Sequence, residues 1–377
     1  MKLTLEKSSF LKALSHGQSI VEKRTTVPIL SHILLSASSK DLSITATDMD
    51  MALIETVPAT IIIPGAVCVS AHLLHDIVKK LKADSVITLE VNSLKNQLSI
   101  TSNRSQFELP YLSSEDFPQL THSILSHHFN IPAPTLRHLI NVTRFAMSQE
   151  ETRYHLNGIF FQTLESEGTK ILRAVATDMH RLAYAECESP EEAFGIPEVI
   201  VSRKTINEVV KLIEDSEQLI QVGLSENRIE FSAEGKSTKA ILSSRLIDGG
   251  FPDYSSALVN RGDKKLTVHT KSFAEAIDRV GTIVNEKIRA IKVTLSHNNA
   301  LISAVSSEFG SAQEELDVDF PYDDSLEICF NVRYLLDIAN QISTHEMNFF
   351  LMDAESSVII QPVDNQTEVF ILMPMRI

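Results

Sequence analysis

A pattern of alternating apolar residues, followed by apolar residues at helical spacing, occurs three times along the chain. Its copies cover residues 3–14, 129–140 and 266–277. The alternating part predicts a half-buried strand, and the part with helical spacing predicts an amphipathic helix. A serine or threonine lies at the break in each copy, and we expect it to cap the start of the helix. Three copies at similar intervals indicate an internal repeat.

Each third of the chain contains a second unit of the same kind. These units cover residues 67–81, 199–213 and 328–342, and short alternating runs separated by turn-forming residues follow the predicted helices. Each third is therefore predicted to hold two half-repeats with the element order β-α-β-β-β, which makes the fold α+β. The expected domains are residues 1–125, 126–258 and 259–377.

Length and composition agree with three domains. The chain has 377 residues, of which 43% are hydrophobic, and thirds of ~125 residues fall within the usual size of a domain. No run approaches the ~20 apolar residues of a membrane span, and the charged N-terminus is unlike a secretory signal. The cysteines Cys68, Cys187 and Cys329 are few and scattered, so we expect reduced thiols in a cytoplasmic protein.

The net charge of −15 argues at first against a polyanionic partner, but this charge is unevenly distributed. The segments predicted to be helical carry a net charge of +8, which leaves −23 for the remainder of the chain. If the helices share one face of the sheets, that face is basic and can attract nucleic-acid phosphates. These helical segments are residues 7–24, 71–82, 135–149, 202–215, 271–289 and 331–345.

Five short motifs are spread in order over the three repeats. They are Val27-Pro28-Ile29-Leu30, Arg153-Tyr154-His155-Leu156-Asn157-Gly158, Ala176-Thr177-Asp178-Met179-His180-Arg181-Leu182, Asp248-Gly249-Gly250-Phe251-Pro252-Asp253-Tyr254 and Met373-Pro374-Met375-Arg376. As a set they resemble the beta subunit of bacterial DNA polymerase III, the sliding clamp family, and the resemblance extends over the whole chain. It implies three tandem clamp domains and a head-to-tail homodimer closed into a ring, with helices on the inner face and sheets outside.

The same resemblance implies that double-stranded DNA passes through the ring without its sequence being read. Phe107 and Leu109 on the last strand of the first domain are expected to meet the third domain of the other chain near Thr282 and Ile283. The local alignment of this segment with the family leaves open whether Gln149 or its neighbour Glu150 occupies the position where the family has glutamine. The residues indicated as DNA-facing are Lys12, Arg24, Lys79, Lys80, Arg104, Arg137, Gln149, Arg203 and Lys204.

A second implied site is a hydrophobic pocket that accepts short linear motifs of other proteins. The implied partners are the clamp loader, the alpha subunit of DNA polymerase III, and other polymerases and repair proteins. Met179 stands where the family usually has glycine, and Ala257 replaces a larger aliphatic residue, so the preferred peptide is expected to differ. The pocket residues are Arg153, Leu156, Thr177, Met179, His180, Arg181, Leu182, Pro252, Ala257, Ser357, Ile371, Met373, Pro374 and Met375.

Two other classes of function are alternatives to the clamp. An enzyme is suggested by the carboxylate, imidazole and guanidinium of Asp178, His180 and Arg181, but a strand-end carboxylate that caps the neighbouring backbone explains them better. The chain shows no glycine-rich phosphate loop, zinc spacing or nucleophile elbow, so we expect no enzyme activity, cofactor or metal. The remaining alternative is a repeat scaffold that binds proteins only, with its helices merely solvated.

Overall fold

The computed structural model contains the predicted β-α-β-β-β unit twice in each third of the chain. It describes residues 1–23, 25–120, 124–214, 216–235, 238–259, 261–285 and 289–376. The first repeat contains β1 (Lys2–Glu6), α1 (Lys7–Ile20), β2 (His32–Ser38), β3 (Asp41–Thr47), β4 (Met51–Pro58), β5 (Thr60–Ile63), β6 (Gly65–Ser70), α2 (Ala71–Lys80), β7 (Val86–Asn92), β8 (Gln97–Ser102), β9 (Ser105–Pro110) and β10 (Leu112–Ser113).

The second and third repeats have the same order of elements. The second contains β11 (His127–Pro132), α3 (Ala133–Arg144), β12 (Gly158–Ser166), β13 (Thr169–Thr177), β14 (Arg181–Glu188), β15 (Val199–Ser202), α4 (Arg203–Ile213), β16 (Leu219–Leu224), β17 (Arg228–Glu234), β18 (Lys239–Arg245) and the short α5 (Ser255–Val259). The third contains β19 (Lys264–His269), α6 (Thr270–Gly281), β20 (Ala290–Ser296), β21 (Asn299–Ser306), β22 (Gly310–Asp317), β23 (Leu326–Asn331), α7 (Val332–Ala339), β24 (Glu346–Leu351), β25 (Val358–Pro362) and β26 (Glu368–Leu372).

The two halves of each repeat exchange their first strands. β1 pairs with β7 of the other half, and β6 pairs with β2 in return. The same exchange occurs in the later repeats, where β11 pairs with β16, β15 with β12, β19 with β24 and β23 with β20. The sheet of each half-repeat therefore includes the first strand of the other half-repeat. This exchange links the two halves of a repeat through backbone hydrogen bonds.

Antiparallel strand pairing also joins one repeat to the next. The last strand of the first half of one repeat pairs with the last strand of the second half of the following repeat: β4 with β18, and β14 with β26. We call these two pairings the joints. They produce a nine-stranded sheet, β10-β6-β2-β3-β4-β18-β17-β16-β11, and an eight-stranded sheet, β15-β12-β13-β14-β26-β25-β24-β19.

Two smaller sheets complete the fold: β5-β1-β7-β8-β9, whose terminal strands are β5 and β9, and β22-β21-β20-β23, whose terminal strands are β22 and β23. Like the strands paired at the joints, β9 and β22 are the last strands of their half-repeats, but each has no neighbour on one side within the described chain. By internal contacts the chain divides into two compact units, each containing one joint. The first unit comprises Met1–Arg137, Pro190–Pro197 and Lys204–Ile247, and the second comprises His138–Ser189, Glu198–Arg203 and Asp248–Ile377.

The helices bury their apolar stripes on the sheets. α1 packs on β3 and β4 beside α2, with Phe10 and Leu14 fully enclosed. α6 packs in the same way on β21 and β22 beside α7, and the ring of Phe273 meets that of Phe349 at 5.3 Å. Phe10, Leu14 and Phe273 are thus core positions as predicted, whereas Leu73 on α2 is 46% exposed. Each fully buried side chain of this size contributes roughly 1.5–3 kcal/mol of transfer free energy.

The predicted serine and threonine helix caps are wrong. α1 begins directly after β1, its N-cap residue is Glu6, and no side chain caps it. At α6 the cap is His269, whose Nδ1 accepts a hydrogen bond from the Ser272 backbone N–H at 3.3 Å. Because each strand runs straight into its helix, the polar residues at the break fall inside the first helical turn rather than before it.

The cysteines are free thiols, as expected from the sequence. Cys68 is buried, and Cys187 and Cys329 are partly buried. Burial raises the pKa of the Cys68 thiol to about 12 and that of the Cys187 thiol to about 11, which keeps both groups protonated. None of the described helices has the length and apolar character that a membrane crossing requires.

A buried carboxylate accompanies the joint between β14 and β26. Glu368 is 4% exposed, and its Oε1 accepts a hydrogen bond of 2.9 Å from Asn365 Nδ2 and lies 3.2 Å from His138 Nε2 on α3. The hydrogen bond to Glu368 raises the pKa of His138, against the opposing effect of burial. A histidine whose pKa is raised by folding stabilises the folded state while it is protonated.

We therefore predict that the His138–Glu368 pair adds to stability below the unfolded histidine pKa of ~6.5 and loses that contribution as the pH rises through the raised folded value. In urea unfolding, the free-energy difference between the parent and His138→Gln should be largest at acidic pH and shrink at alkaline pH. His345→Gln, at an exposed histidine of the same unit, is the control. A difference that is independent of pH would contradict the assignment.

Candidate DNA-binding and peptide-binding sites

The turn between β13 and β14 is held by side chains that bond to its own backbone. Thr177 Oγ1 donates to the Arg181 carbonyl at 2.8 Å and accepts from the Met179 N–H at 3.1 Å. Asp178 Oδ1 accepts from the N–H groups of His180 and Arg181 at 3.0 and 2.9 Å. Met179 has a φ of 73°, in the left-handed region that favours glycine, which accounts for the glycine usual at this position.

The equivalent turn of the first repeat has the same bonds. Thr47 Oγ1 donates to the Met51 carbonyl at 2.8 Å, and Asp48 Oδ1 accepts from the N–H groups of Asp50 and Met51 at 3.0 and 2.7 Å. Met49 has a φ of 81°. Because this turn keeps its geometry without a histidine or an arginine, the aspartate serves as a backbone cap in both copies.

Arg181 lies below the surface of the second unit. Its guanidinium bonds to Asp178 Oδ2 at 3.1 Å, to Asp337 Oδ2 at 2.5 Å and to the Phe145 carbonyl at 2.7 Å, and it stacks over the rings of Phe145 and Tyr334. All three side-chain nitrogens are therefore used, and this predicted pocket residue supports the turn from beneath. Asp337 and Tyr334 are not recognisable as part of this site from a motif, although their i,i+3 spacing places both on one face of α7.

Strand pairing at the joint brings several of the other predicted pocket residues together. Leu182 and Ile371 are direct partners on β14 and β26, and both are buried. Met373, which follows β26, donates its N–H to the His180 carbonyl at 2.9 Å and leaves 43% of its surface exposed. On the opposite side of β14, Leu182 pairs with Thr177 of β13. These residues form a surface with a buried aliphatic base and an exposed methionine.

The segment after β18 that carries Pro252 is fixed to the same sheet by aromatic contacts. The ring of Phe251 stacks on that of Phe160 at 4.6 Å, and the Tyr254 hydroxyl bonds to Gln162 and accepts from Arg173 Nη1 at 3.2 Å. Ala257 then lies in α5, which is partly exposed.

The remaining predicted pocket residues lie around this surface. Leu156 is buried at the end of a 3-10 helix spanning Glu151–Leu156, and Arg153 in that helix pairs with Glu150 at 3.2 Å. Ser357 immediately precedes β25, Pro374 follows Met373, and Met375 donates its N–H to the Cys329 carbonyl at 2.8 Å.

The residues predicted to face DNA fall into two groups. Lys12, Lys79 and Lys80 lie on exposed helix positions, Arg104 lies in the turn between β8 and β9, and Gln149 is exposed after α3. Arg24 lies outside the described residues. Of the other three cations, Arg137 and Lys204 bond to groups of the protein itself, and Arg203 is partly buried.

Each of those three has a specific structural environment. Arg137 Nη1 donates to the carbonyls of Ile213 and Glu214 at the end of α4, at 2.8 and 3.0 Å. Lys204 bonds to Asp48 Oδ2 and to the Ile20 carbonyl. The Arg203 Nε is buried and has no hydrogen-bond partner among the described residues, and burial lowers the pKa of its guanidinium. The contacts of Arg137 and Lys204 reduce the availability of these two side chains for phosphate.

The residues predicted for the dimer interface lie at the open sheet edges or near them. Phe107 and Leu109 lie on the edge strand β9, where Phe107 is 37% exposed. Thr282 and Ile283 follow the last turn of α6, which packs on the other open strand, β22. No group of three or more His, Cys, Asp or Glu side chains that could hold a metal ion occurs in the part of the chain that the structure describes.

Comparison with known proteins identifies this architecture as that of a sliding clamp. The models of the N-terminal, central and C-terminal domains of the DNA polymerase III beta subunit match residues 1–121, 130–253 and 256–376. The beta sliding clamp of Caulobacter vibrioides is 42% identical over 378 residues, covering 100% of both chains.

Solved structures agree with this assignment. A crystal structure of the C. crescentus beta sliding clamp, with polyethylene glycol bound, superposes with a TM-score of 0.95 at 42% identity and covers 100% of this chain and 99% of that one. The sliding clamp of Bartonella birtlesii bound to griselimycin gives a TM-score of 0.95 at 39% identity with 100% of both chains covered. The chain belongs to the DNA polymerase III beta subunit family, so it is a processivity factor of DNA replication.

The turn geometry predicts that Asp178 matters for stability and His180 does not. Asp178→Ala removes acceptors for two backbone N–H groups and one partner of a buried guanidinium, so the free energy of unfolding should fall by about 2–4 kcal/mol. His180→Ala, at an exposed side chain, should change it by less than about 0.5 kcal/mol. Urea unfolding measures both values, with Asp48→Ala as the matched variant in the first unit. Equal effects of Asp178→Ala and His180→Ala would argue against a capping role.

Proposed function

We propose that two chains close head to tail into a ring around double-stranded DNA. The observation that carries this proposal concerns β9 and β22, each of which has no neighbour on one side within the described chain. Their counterparts in the other half-repeats are β18 and β26 for β9, and β4 and β14 for β22, and these are paired with each other at the two joints. An unpaired edge strand is a template for pairing with another chain, and both internal joints already use this type of contact. Joining the five-stranded and four-stranded sheets would give nine strands, the same number as in the sheet that crosses the first joint.

The two internal joints predict the register of this intermolecular joint. Leu53 pairs with Leu242 at the first joint, and Ala183 pairs with Phe370 at the second. In the repeat, β9 is the counterpart of β18 and β26, and β22 is the counterpart of β4 and β14. When either pairing is applied to β9 and β22, Phe107 comes opposite Ala312 of the other chain. In that register Phe107, Leu109 and Ala312 lie on the helix-bearing side of the joined sheet, near the end of α6 where Thr282 and Ile283 lie.

The basic residues of the helices and turns would then face the duplex. Contacts from lysine and arginine to phosphates depend on salt and do not read sequence, which suits a protein that must slide. Lys12, Lys79, Lys80 and Arg104 are exposed and are the best supported of the predicted set. Because a closed ring retains DNA by topology, few such contacts are needed.

The surface at the second joint would receive linear motifs from the clamp loader, the alpha subunit of DNA polymerase III, and other polymerases and repair proteins. An exposed methionine above a buried aliphatic base suits this role, because methionine adapts its shape to different partners. We further propose that the chain is non-catalytic, acts in the cytoplasm without a cofactor, and divides into domains at residues 1–125, 126–258 and 259–377.

The ring predicts that retention on DNA depends on DNA topology. The protein is loaded onto a nicked circular plasmid by the clamp loader of the same organism and then passed over a sizing column. It should stay with the circle and be lost after a single double-strand cut, by a factor of about ten or more, because a ring slides off a free end. Equal retention on circular and linear DNA, or none on either, would favour the protein-binding scaffold.

The peptide-binding surface predicts a specific loss in Met373→Ala. This change removes the exposed side chain above Leu182 and Ile371, and affinity for a labelled peptide from the C-terminus of the polymerase alpha subunit should fall about tenfold. Fluorescence anisotropy measures the affinity, and light scattering checks that the mass of the protein is unchanged. Met352→Ala, at another half-exposed methionine of the same unit, is the matched control. Unaltered peptide affinity of Met373→Ala would show that Met373 does not contribute to the peptide-binding site.

A further inference from the structure

The first unit contains a counterpart of the joint and turn that form the predicted peptide site of the second unit. Met49 corresponds to Met179, and the two are alike in conformation and in exposure, with φ of 81° and 73° and exposed fractions of 55% and 53%. β18 crosses this turn just as β26 crosses the other, because both pair antiparallel with the strand that follows it. The backbone framework of the site thus occurs twice.

A cavity of about 240 Å³ lies beside this turn in the first unit. We call it the Met49 cavity. It is smaller than the ~300–1,000 Å³ of a typical small-molecule pocket, so it suits one or two side chains of a peptide better than a whole metabolite. Its apolar lining includes Met49, Met51, Ala52, Leu120, Leu125 and Ile241.

The charges at the Met49 cavity differ from those at the second joint. Arg228 and Arg245 line it and are direct partners across β17 and β18. By continuing the register of β25 and β26, the corresponding positions are Ser357, immediately before β25, and Met373, immediately after β26. Two like charges placed opposite each other on neighbouring strands repel, and an anion bound between them would relieve that repulsion.

Only part of this positive charge is neutralised within the described chain. Arg245 Nη1 lies 3.4 Å from Asp50 Oδ1, and both side chains are well exposed, at 63% and 73%, so the contact is weak. Arg228 has no ion-pair partner among the described residues, and the carboxylate of Glu230 also lines the cavity. The lining therefore combines an apolar floor with a cationic edge that one carboxylate offsets in part.

We propose that the Met49 cavity is a second docking site, for a short extended segment of a partner protein that carries an acidic residue next to a large aliphatic one. The aliphatic side chain would enter the apolar floor, and the carboxylate would bind between Arg228 and Arg245. This inference goes beyond the proposed function and takes from it only the class of ligand. The arginines distinguish it from the second joint, whose equivalent positions carry no charge.

The test uses the full-length protein with its methionine methyl groups labelled with carbon-13. Resonances of Met49 and Met51 report on the Met49 cavity, whereas those of Met179 and Met373 report on the second joint. Met→Leu variants assign each signal. The probes are the capped peptide Asp-Leu-Asp-Leu and its neutral analogue Asn-Leu-Asn-Leu.

The acidic peptide should shift the Met49 and Met51 resonances in a saturable way, and the neutral analogue should bind about tenfold more weakly. Arg228→Gln and Arg245→Gln should each weaken the acidic peptide by a similar factor and leave any shift of Met179 and Met373 unchanged. Lys40→Gln, which removes an exposed cation elsewhere on the first unit, is the matched control and should have no effect.

Three outcomes would overturn the proposal. These are no shift of Met49 or Met51 with the acidic peptide, equal binding of the acidic and neutral peptides, and a response only to a short DNA duplex that depends on the two arginines. The response to DNA alone would indicate that the two arginines bind phosphate and not a peptide carboxylate. Because the Met179 and Met373 signals and the mass in solution are read separately, failure at the Met49 cavity is distinguishable from failure of the proposed clamp function.

Discussion

The structure depends on antiparallel pairing between strands that belong to different half-repeats. A strand edge carries a row of N–H and C=O groups that need hydrogen-bond partners, and this chain provides such partners through two kinds of strand pairing. The exchange of first strands binds the halves of a repeat to each other, and the joints bind one repeat to the next. The predicted peptide-binding surface and the Met49 cavity both lie at a joint, because the turn before β4 or β14 is placed against the strand that crosses it.

Charge explains how an acidic protein can act on an acidic polymer. With a net charge of −15, long-range repulsion from DNA is the default, and only local clusters of cations can reverse it. The structure reduces the set of such cations, because Arg137, Arg203 and Lys204 are involved in helix ends, burial or an ion pair. A thin layer of phosphate contacts is consistent with sliding, since each additional contact would increase friction along the duplex.

The fold was predictable from sequence wherever a single element carried its own periodicity. The strands and helices near Leu3, Phe129 and Leu266 emerge from alternation and helical spacing, and three copies make the order of elements plain. The strand exchange was not predictable, because β1 and β7 lie far apart in the chain and no local pattern identifies pairing partners. The helix caps failed because sequence does not show that β1 runs into α1 without a connecting residue.

Prediction of the sites had similar limits. Thr177, Leu182 and Met373 meet because of a strand register that only the resemblance could suggest. Arg181 has the residue type of a rim contact, yet its environment of Asp178, Asp337 and two aromatic rings makes it a buried support. The repeat of Thr47-Asp48 at Thr177-Asp178 can be read from the sequence. The Met49 cavity could not be predicted from it, because Arg228 and Arg245 form an opposed pair only through the register of β17 and β18.

The most direct measurement is a disulfide cross-link across the joint between two chains. In the proposed register, Gln106→Cys with Gln313→Cys would place two thiols opposite each other on the exposed face of the joined sheet, where directly opposed strand residues suit the ~4.4–6.8 Å between Cα atoms that a disulfide needs. The account predicts a covalent dimer under mild oxidation, well above the level given by the three native cysteines. It also predicts little product when Glu315→Cys replaces Gln313→Cys. A monomer with the first pair, or faster cross-linking with the shifted pair, would contradict the joint on which the ring depends.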